Sequence, residues 1–182
     1  MEYIGIIASI IMAFILGFFF AIRAKNGQKI SAYQTKKPVL DIRHFMQGEL
    51  LAFGTIEDFK GSIIHSFTAK LHGVWQGNSG TLTEVFTYDD GSTEQRIWTL
   101  TVEDNVNVKG VAHDIVGLAK GKQIGNALNM RYTLEREIKG KKIQFAMDDW
   151  LYLVTDSTCI NKATMRKFGV VVARLTIGFE KV

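Results

Sequence analysis

From residue 45 onward the chain alternates apolar and polar residues in short runs. The last run is the plainest: Val171, Ala173, Leu175, Ile177 and Phe179 take every second position, with Arg174, Thr176, Gly178 and Glu180 in register on the other side. A period of two belongs to a strand with one buried face. The same reading predicts strands over Leu50–Glu57, Ser62–Leu71, Thr81–Tyr88, Glu94–Val102, Val106–Ala112, Leu128–Ile138, Lys142–Val154, Thr164–Phe168 and Val170–Glu180. Turn chemistry separates them, as in Asp58-Phe-Lys-Gly61, Asp89-Asp-Gly-Ser92, Asp104-Asn105, Lys139-Gly-Lys141 and Lys167-Phe-Gly169. Asp156–Asn161 reads as a single helical turn. Sequential strands without crossover helices predict an all-β, antiparallel, up-and-down barrel.

The amino-terminal pattern is different. Tyr3–Ile22 contains no charged residue, and twenty residues of helix span ~30 Å, the thickness of a bilayer core. Glu2 is the only early charge, and Arg23 and Lys25 follow directly, so the reading is an uncleaved transmembrane helix rather than a signal peptide. Three segments are expected: a transmembrane anchor over 1–24, a juxtamembrane linker over 25–44 and a barrel domain over 45–182. Gly5, Ser9, Ala13, Gly17 and Ala21 form a small-residue track, a candidate surface for helix pairing and a homodimer. The implied location is a bacterial inner membrane, crossed once. Arg23, Lys25, Lys29, Lys36 and Lys37 after the helix point to a cytoplasmic barrel.

The alternation also places charges where a core belongs. Leu82, Phe86 and Tyr88 share a face with Glu84. Trp98, Leu100 and Val102 share one with Arg96. Leu128, Met130, Tyr132, Leu134 and Ile138 share one with Arg136. Ile143, Phe145, Met147, Leu151 and Leu153 share one with Asp149, while Asp148, Trp150 and Tyr152 look the other way. An interior carboxylate costs several kcal/mol (roughly) unless it is paired. Glu84 and Asp149 are therefore expected to pair with Arg96 or Arg136. Glu84, Arg96, Trp98, Tyr132, Arg136 and Asp149 are the candidate ligand-binding residues, a polar anchor inside an apolar barrel, with a structural ion-pair network as the alternative.

Composition narrows the chemistry. The net charge of +4 is concentrated after the apolar segment, which is no nucleic-acid stripe. The one cysteine, Cys159, excludes an internal disulfide, and no histidine at useful spacing makes it a nucleophile. His44, His65, His72 and His113 are dispersed, so no metal site is expected. Gly117-Leu-Ala-Lys-Gly-Lys-Gln123 has the wrong spacing for a phosphate loop, and Gly117, Gly121 and Gly125 read as turn or bulge positions. Asp148 and Asp149 are neighbours on a strand and diverge, so they cannot share one substrate atom. No catalytic constellation and no cofactor is implied.

One further pattern runs along the chain: Phe45-x-x-Gly48, Ala52-x-Gly54, Gly73-x-Trp75-x-Gly77, Leu82-x-Glu84-x-Phe86-x-Tyr88-x-Asp90-Gly91 and Arg96-x-Trp98. It continues through Ala112-x-Asp114-Ile-Val-Gly117, Gly121, Gly125-Asn-Ala127, Asp148-Asp-Trp150, Asn161 and Lys167-Phe-Gly169. This resembles a bacterial envelope family of unknown function, many of whose members are labelled lipoproteins. The resemblance implies a lipocalin-like, calycin-type barrel and gives Asp148, Trp150, Asn161, Lys167 and Gly169 as its structural motif. It implies a periplasmic barrel, against the charge rule. The chain departs from the family in lacking a lipobox cysteine and in carrying Phe59 where relatives tend to have a basic residue.

These readings point to a membrane-anchored barrel that binds a lipid, a fatty acyl group or another apolar ligand. The alternative is a ligand-free interaction module of the envelope acting through its helix. Cavity volume separates the two: empty apolar space favours binding and a filled core favours a module.

Overall fold

The computed structural model describes residues 11–14 and 27–182. Ten antiparallel strands follow one another around a closed barrel: β1 (Gly48–Asp58), β2 (Ile63–Gln76), β3 (Ser79–Tyr88), β4 (Thr93–Glu103), β5 (Asn107–Val111), β6 (Ile115–Ile124), β7 (Ala127–Ile138), β8 (Lys141–Thr155), β9 (Thr158–Lys167) and β10 (Val170–Lys181). Pairing of β1 with β10, from Leu50 opposite Lys181 to Asp58 opposite Ala173, closes the sheet and leaves no edge strand. Two-residue turns at Lys139-Gly140 and Phe168-Gly169 have positive φ at both positions, the hairpin geometry whose twist matches the flanking strands.

The all-β antiparallel barrel agrees with the hydrophobic pattern, but the expected spanning helix is a correction to the fold class. Among the described residues no helix is long and apolar enough to cross a membrane. Residues 11–14 are helical, and the rest of Tyr3–Ile22 lies outside the described residues. Of the small-residue track only Ala13 is described; Gly5, Ser9, Gly17 and Ala21 lie outside.

Two local expectations also change. Ile115–Ile124 is a strand, although its glycines and lysines break the alternation. Gly117 takes φ +73° where the β6–β7 register slips, and a Cβ on Gly121 would overlap the Asn129 carbonyl of the neighbouring strand. The helical turn expected over Asp156–Asn161 is instead a turn leading into β9.

The segment read as a linker is packed against the barrel. A 3-10 turn, Ile30–Tyr33, lies against the outer wall at β6 and β7, and a one-turn helix, Ile42–Phe45, plugs one barrel mouth. Leu40, Ile42, Phe45 and Met46 are all buried in the main core. The plug is tied at every side. Leu40 N–H donates to the Gly125 carbonyl (2.8 Å), and Ile42 N–H to Gln123 Oε1 (3.0 Å). Arg43 forms a salt bridge to Asp41 and donates to Asn78 and Asn105 at the mouth loops. From the last strand, Lys181 Nζ donates to the carbonyls of His44, Phe45 and Gln47, satisfying groups that the helix end leaves free. Gly73 and Gly125 let the backbone come this close, since side chains there would overlap the Met46 and Tyr33 carbonyl oxygens.

Candidate functional site

Inside the barrel, the plug forms an apolar floor and a polar belt crosses the middle. The belt's carboxylates and guanidiniums come from β3, β4, β7, β8 and the β5–β6 turn. Between floor and belt lies a cavity of about 100 Å³, lined chiefly by Leu82, Leu100, Leu128, Met130, Leu151 and Phe179, with Glu84, Trp98, Tyr132, Asp149 and Asn161 on its polar side. Towards the other mouth aromatic rings and an ion pair enter the interior, most of them half-buried. Phe67, Phe86 and Tyr88 pack with ring centroids 5.5–6.3 Å apart, and Glu94 and Arg136 pair beside them.

Strand alternation brings Glu84, Arg96, Trp98, Tyr132, Arg136 and Asp149 together as expected from their faces, but the pairing differs. Arg96 donates through both Nε (3.0 Å) and Nη2 (2.6 Å) to Asp114 Oδ2. Arg136 grips both oxygens of Glu94. Neither arginine forms a salt bridge to Glu84 or Asp149, although Glu84 is directly opposite Arg96 in the β3–β4 register. Asp114 and Glu94 are the residues that the sequence reading missed. Glu94 sits two positions before Arg96 on the same face, so period two could have found it. Asp114 follows Ala112 and His113 in a turn, where alternation says nothing about direction.

Asp149 accepts hydrogen bonds from the Tyr132 hydroxyl (2.9 Å) and from Asn161 Nδ2, which also donates to the Trp150 carbonyl (3.1 Å). Glu84 is 8 % exposed and makes no salt bridge; the Trp98 indole is the donor beside it. The belt thus sets four carboxylates, Glu84, Glu94, Asp114 and Asp149, against the guanidiniums of Arg96 and Arg136.

Electrostatics follow from that imbalance. Burial pushes the Glu84 carboxyl up to about 7; Asp149 and Asp114 push the same way, while Arg96 and the Trp98 indole pull it down. Burial also raises Asp149, against the hydrogen bonds from Asn161 and Tyr132. Tyr132 is held well above its ordinary value by burial and by Asp149. Glu94 goes the other way, because the Arg136 hydrogen bonds hold it below the usual carboxylate range. Burial works against the Arg96 charge, yet Glu84 and Asp114 keep its pKa raised.

The family-motif residues divide between the two walls. Asp148 faces outward and accepts from Asn129 Nδ2 (2.8 Å) and from the Trp150 indole (3.1 Å). Trp150 is on the outer face, as its position predicts, but is only 6 % exposed. Tyr33 of the 3-10 turn covers it, 5.8 Å between centroids, and Tyr152 stacks beside it. Asn161 faces inward on the belt. Lys167 donates to the Gln144 carbonyl, and Gly169 takes φ +79° in the hairpin that starts β10. Among the described residues no group of three His, Cys, Asp or Glu side chains could hold a metal ion.

The geometry can hold a small molecule that is apolar at one end and polar at the other. It offers no activated nucleophile, since Cys159 is buried and its thiol is pushed up to about 12.

No curated protein matches the chain. Among solved structures it is similar to the S-type phycobiliprotein lyase CPES from Guillardia theta, with TM-score 0.59 and 7 % identity over 86 % of this chain and 98 % of that one. A redesigned β-barrel, mFAP1, bound to DFHBI, aligns with TM-score 0.44 and 11 % identity over 76 % and 97 % of the two chains. At such identities the first likeness is one of fold, a lipocalin-like barrel. The model of one family, described as Protein of unknown function (DUF3833), matches residues 19–181, which takes in both the plug and all ten strands, and the chain belongs to that family.

Proposed function

We propose that the barrel binds a small, mostly apolar organic molecule in the cavity between plug and polar belt. Glu84 carries this reading: it is a buried carboxylate without a salt bridge, with only the neutral Trp98 indole beside it, facing space whose other walls are largely hydrocarbon. In a merely filled barrel an apolar residue at this position would be more stable, because a buried carboxyl without a salt bridge costs roughly a few kcal/mol, whether it stays ionised or is driven to take up a proton. A few polar groups in an apolar pocket are what orient a bound ligand.

The cavity volume sets the ligand's size. A dry cavity of about 150 Å³ takes benzene, with its six carbons, so about 100 Å³ suits a molecule of about four or five non-hydrogen atoms. A long acyl chain does not fit this conformation. A carboxylate head group would also meet Glu84 and Asp149 while both arginines are already engaged. The reading therefore narrows the apolar ligand expected from sequence to a compact one.

Titration of the full-length chain with butan-1-ol and with xenon tests the proposal, followed by NMR of the Trp98 indole and Met130 methyl signals. Saturable shifts at both are expected, and Leu128→Trp, which fills the space, removes them while the circular dichroism stays that of a β-barrel. A second reading, a ligand-free interaction module, is favoured by the aromatic packing at the other mouth. Absence of saturable shifts with either probe refutes the ligand reading and leaves the module.

A further inference from the structure

We infer that the polar end of the ligand is a cation, so that the cavity is a site for a small alkylammonium ion held between the carboxylates of Glu84 and Asp149. This rests on the cavity reading above and adds the chemical class.

The argument is an inventory of donors and acceptors. Every guanidinium of the belt is engaged, Arg96 with Asp114 and Arg136 with both oxygens of Glu94. Glu84 and Asp149 remain on the cavity wall, and among the described residues the donors beside them are neutral: the Tyr132 hydroxyl and the Asn161 amide on Asp149, and the Trp98 indole beside Glu84. A carboxylate can accept about four hydrogen bonds and donates none when ionised. The empty positions on this wall are therefore acceptor positions, and the complementary occupant is rich in donors. An ammonium group carries three N–H donors and no acceptor. It also supplies the positive charge that the belt lacks.

Other occupants fit less well. A carboxylate or phosphate would face two carboxylates and find both arginines occupied. An alcohol brings one donor and no charge. A bare metal ion would need several oxygen or nitrogen ligands, whereas the rest of the wall is Leu82, Leu100, Leu128 and Leu151, and among the described residues no metal-holding cluster is present. Those leucines suit the hydrocarbon tail. Trp98 and Tyr132, edge to face with centroids 5.5 Å apart, add aromatic surface on the side where the charge would lie.

The test compares n-butylammonium, butan-1-ol and butyrate, three probes of similar size, on the full-length chain at pH 7.5. Dissociation constants come from isothermal calorimetry, with the Trp98 indole resonance reporting the place of binding. n-Butylammonium is expected to bind at least about tenfold tighter than butan-1-ol, the worth of one charge-assisted hydrogen bond, and butyrate weakest of the three. Glu84→Gln is expected to bring the ammonium and the alcohol within about threefold of each other without weakening the alcohol. Should that variant not fold, Asp149→Asn and the selectivity of the unaltered chain decide. Equal or tighter binding of butan-1-ol or butyrate overturns the cation assignment and leaves the cavity reading intact. Failure of all three probes to perturb Trp98 overturns both.

Discussion

Gly73→Ala tests how the plug is held. Gly73 belongs to β2, and its α-carbon faces the backbone that leads out of the plug helix. An added Cβ would overlap the Met46 carbonyl oxygen and stand 2.8 Å from its carbon, where ordinary contact begins at 3.4 Å. Both atoms are backbone, so no side-chain rotation relieves the clash. The plug must lift by well over an ångström. Overpacking of this kind costs about 1–3 kcal/mol. Lifting also loosens Ile42, Phe45 and Met46, each worth about 1.5–3 kcal/mol when fully buried, so partial exposure adds to that figure. The Lys181 hydrogen bonds to the His44, Phe45 and Gln47 carbonyls weaken with it. We expect a loss of about 3 kcal/mol, a fall in Tm of about 6–12 °C for a chain of this length. Thermal and urea unfolding followed by circular dichroism measure it, with Gly27→Ala as control, since a Cβ there meets nothing within 4 Å. A loss below about 1 kcal/mol for Gly73→Ala would refute the claim that the plug is a rigid part of the core.

Other expectations are specific to single groups. Glu84 has its carboxyl pushed from the usual 4.5 to about 7. Below pH 4.5 it is protonated folded and unfolded; between those values folding takes up a proton, so stability falls as pH rises, by about 3 kcal/mol in all once pH passes 7. Urea unfolding from pH 4.5 to 8 should show that fall and Glu84→Gln should remove it, leaving the contribution of Asp149; a wild-type profile that rises over this range contradicts the assignment. Arg136→Met leaves Glu94 half-buried without its partner and is expected to cost about 1–2 kcal/mol, less than for a fully dry pair because both side chains touch solvent. Adding Glu94→Gln should return part of the loss in a double-mutant cycle, and strict additivity would count against the pair. The Cys159 thiol should resist iodoacetamide at pH 8 in the folded chain and react only in urea, as followed by mass spectrometry; rapid labelling of the native chain would contradict its burial.

How much could be read in advance differs by element. β3, β4, β7, β8 and β10 carry strict alternation, so their faces, and the inward direction of Glu84, Arg96, Tyr132, Arg136 and Asp149, were legible. β6 was not, because Gly117, Gly121 and the lysines around them erase the apolar rhythm that a strand normally shows. The docking of residues 40–46 against the barrel was not legible, for a related reason. Leu40, Ile42, Phe45 and Met46 are too few to display a helical period, and their burial depends on a barrel mouth assembled from β2, β6 and β10, distant in sequence. Trp150 was correctly placed on the outer face, yet only Tyr33 folding over it makes that face an interior.

Alternation and turn chemistry by themselves determined an antiparallel all-β chain and a core seeded with charges, since both are local: a two-residue period fixes side-chain direction wherever a strand forms. Which charge meets which, and how much room is left, was decided only by closure of the barrel. Asp114 reaches Arg96 because the β5–β6 turn folds inward, which leaves Glu84 without a salt bridge beside a small cavity. The plug that floors that cavity can seat there because Gly73 admits its backbone, as Gly125 admits that of the 3-10 turn before it. Those are distances between segments that no local pattern encodes, and the proposed ligand site depends on them.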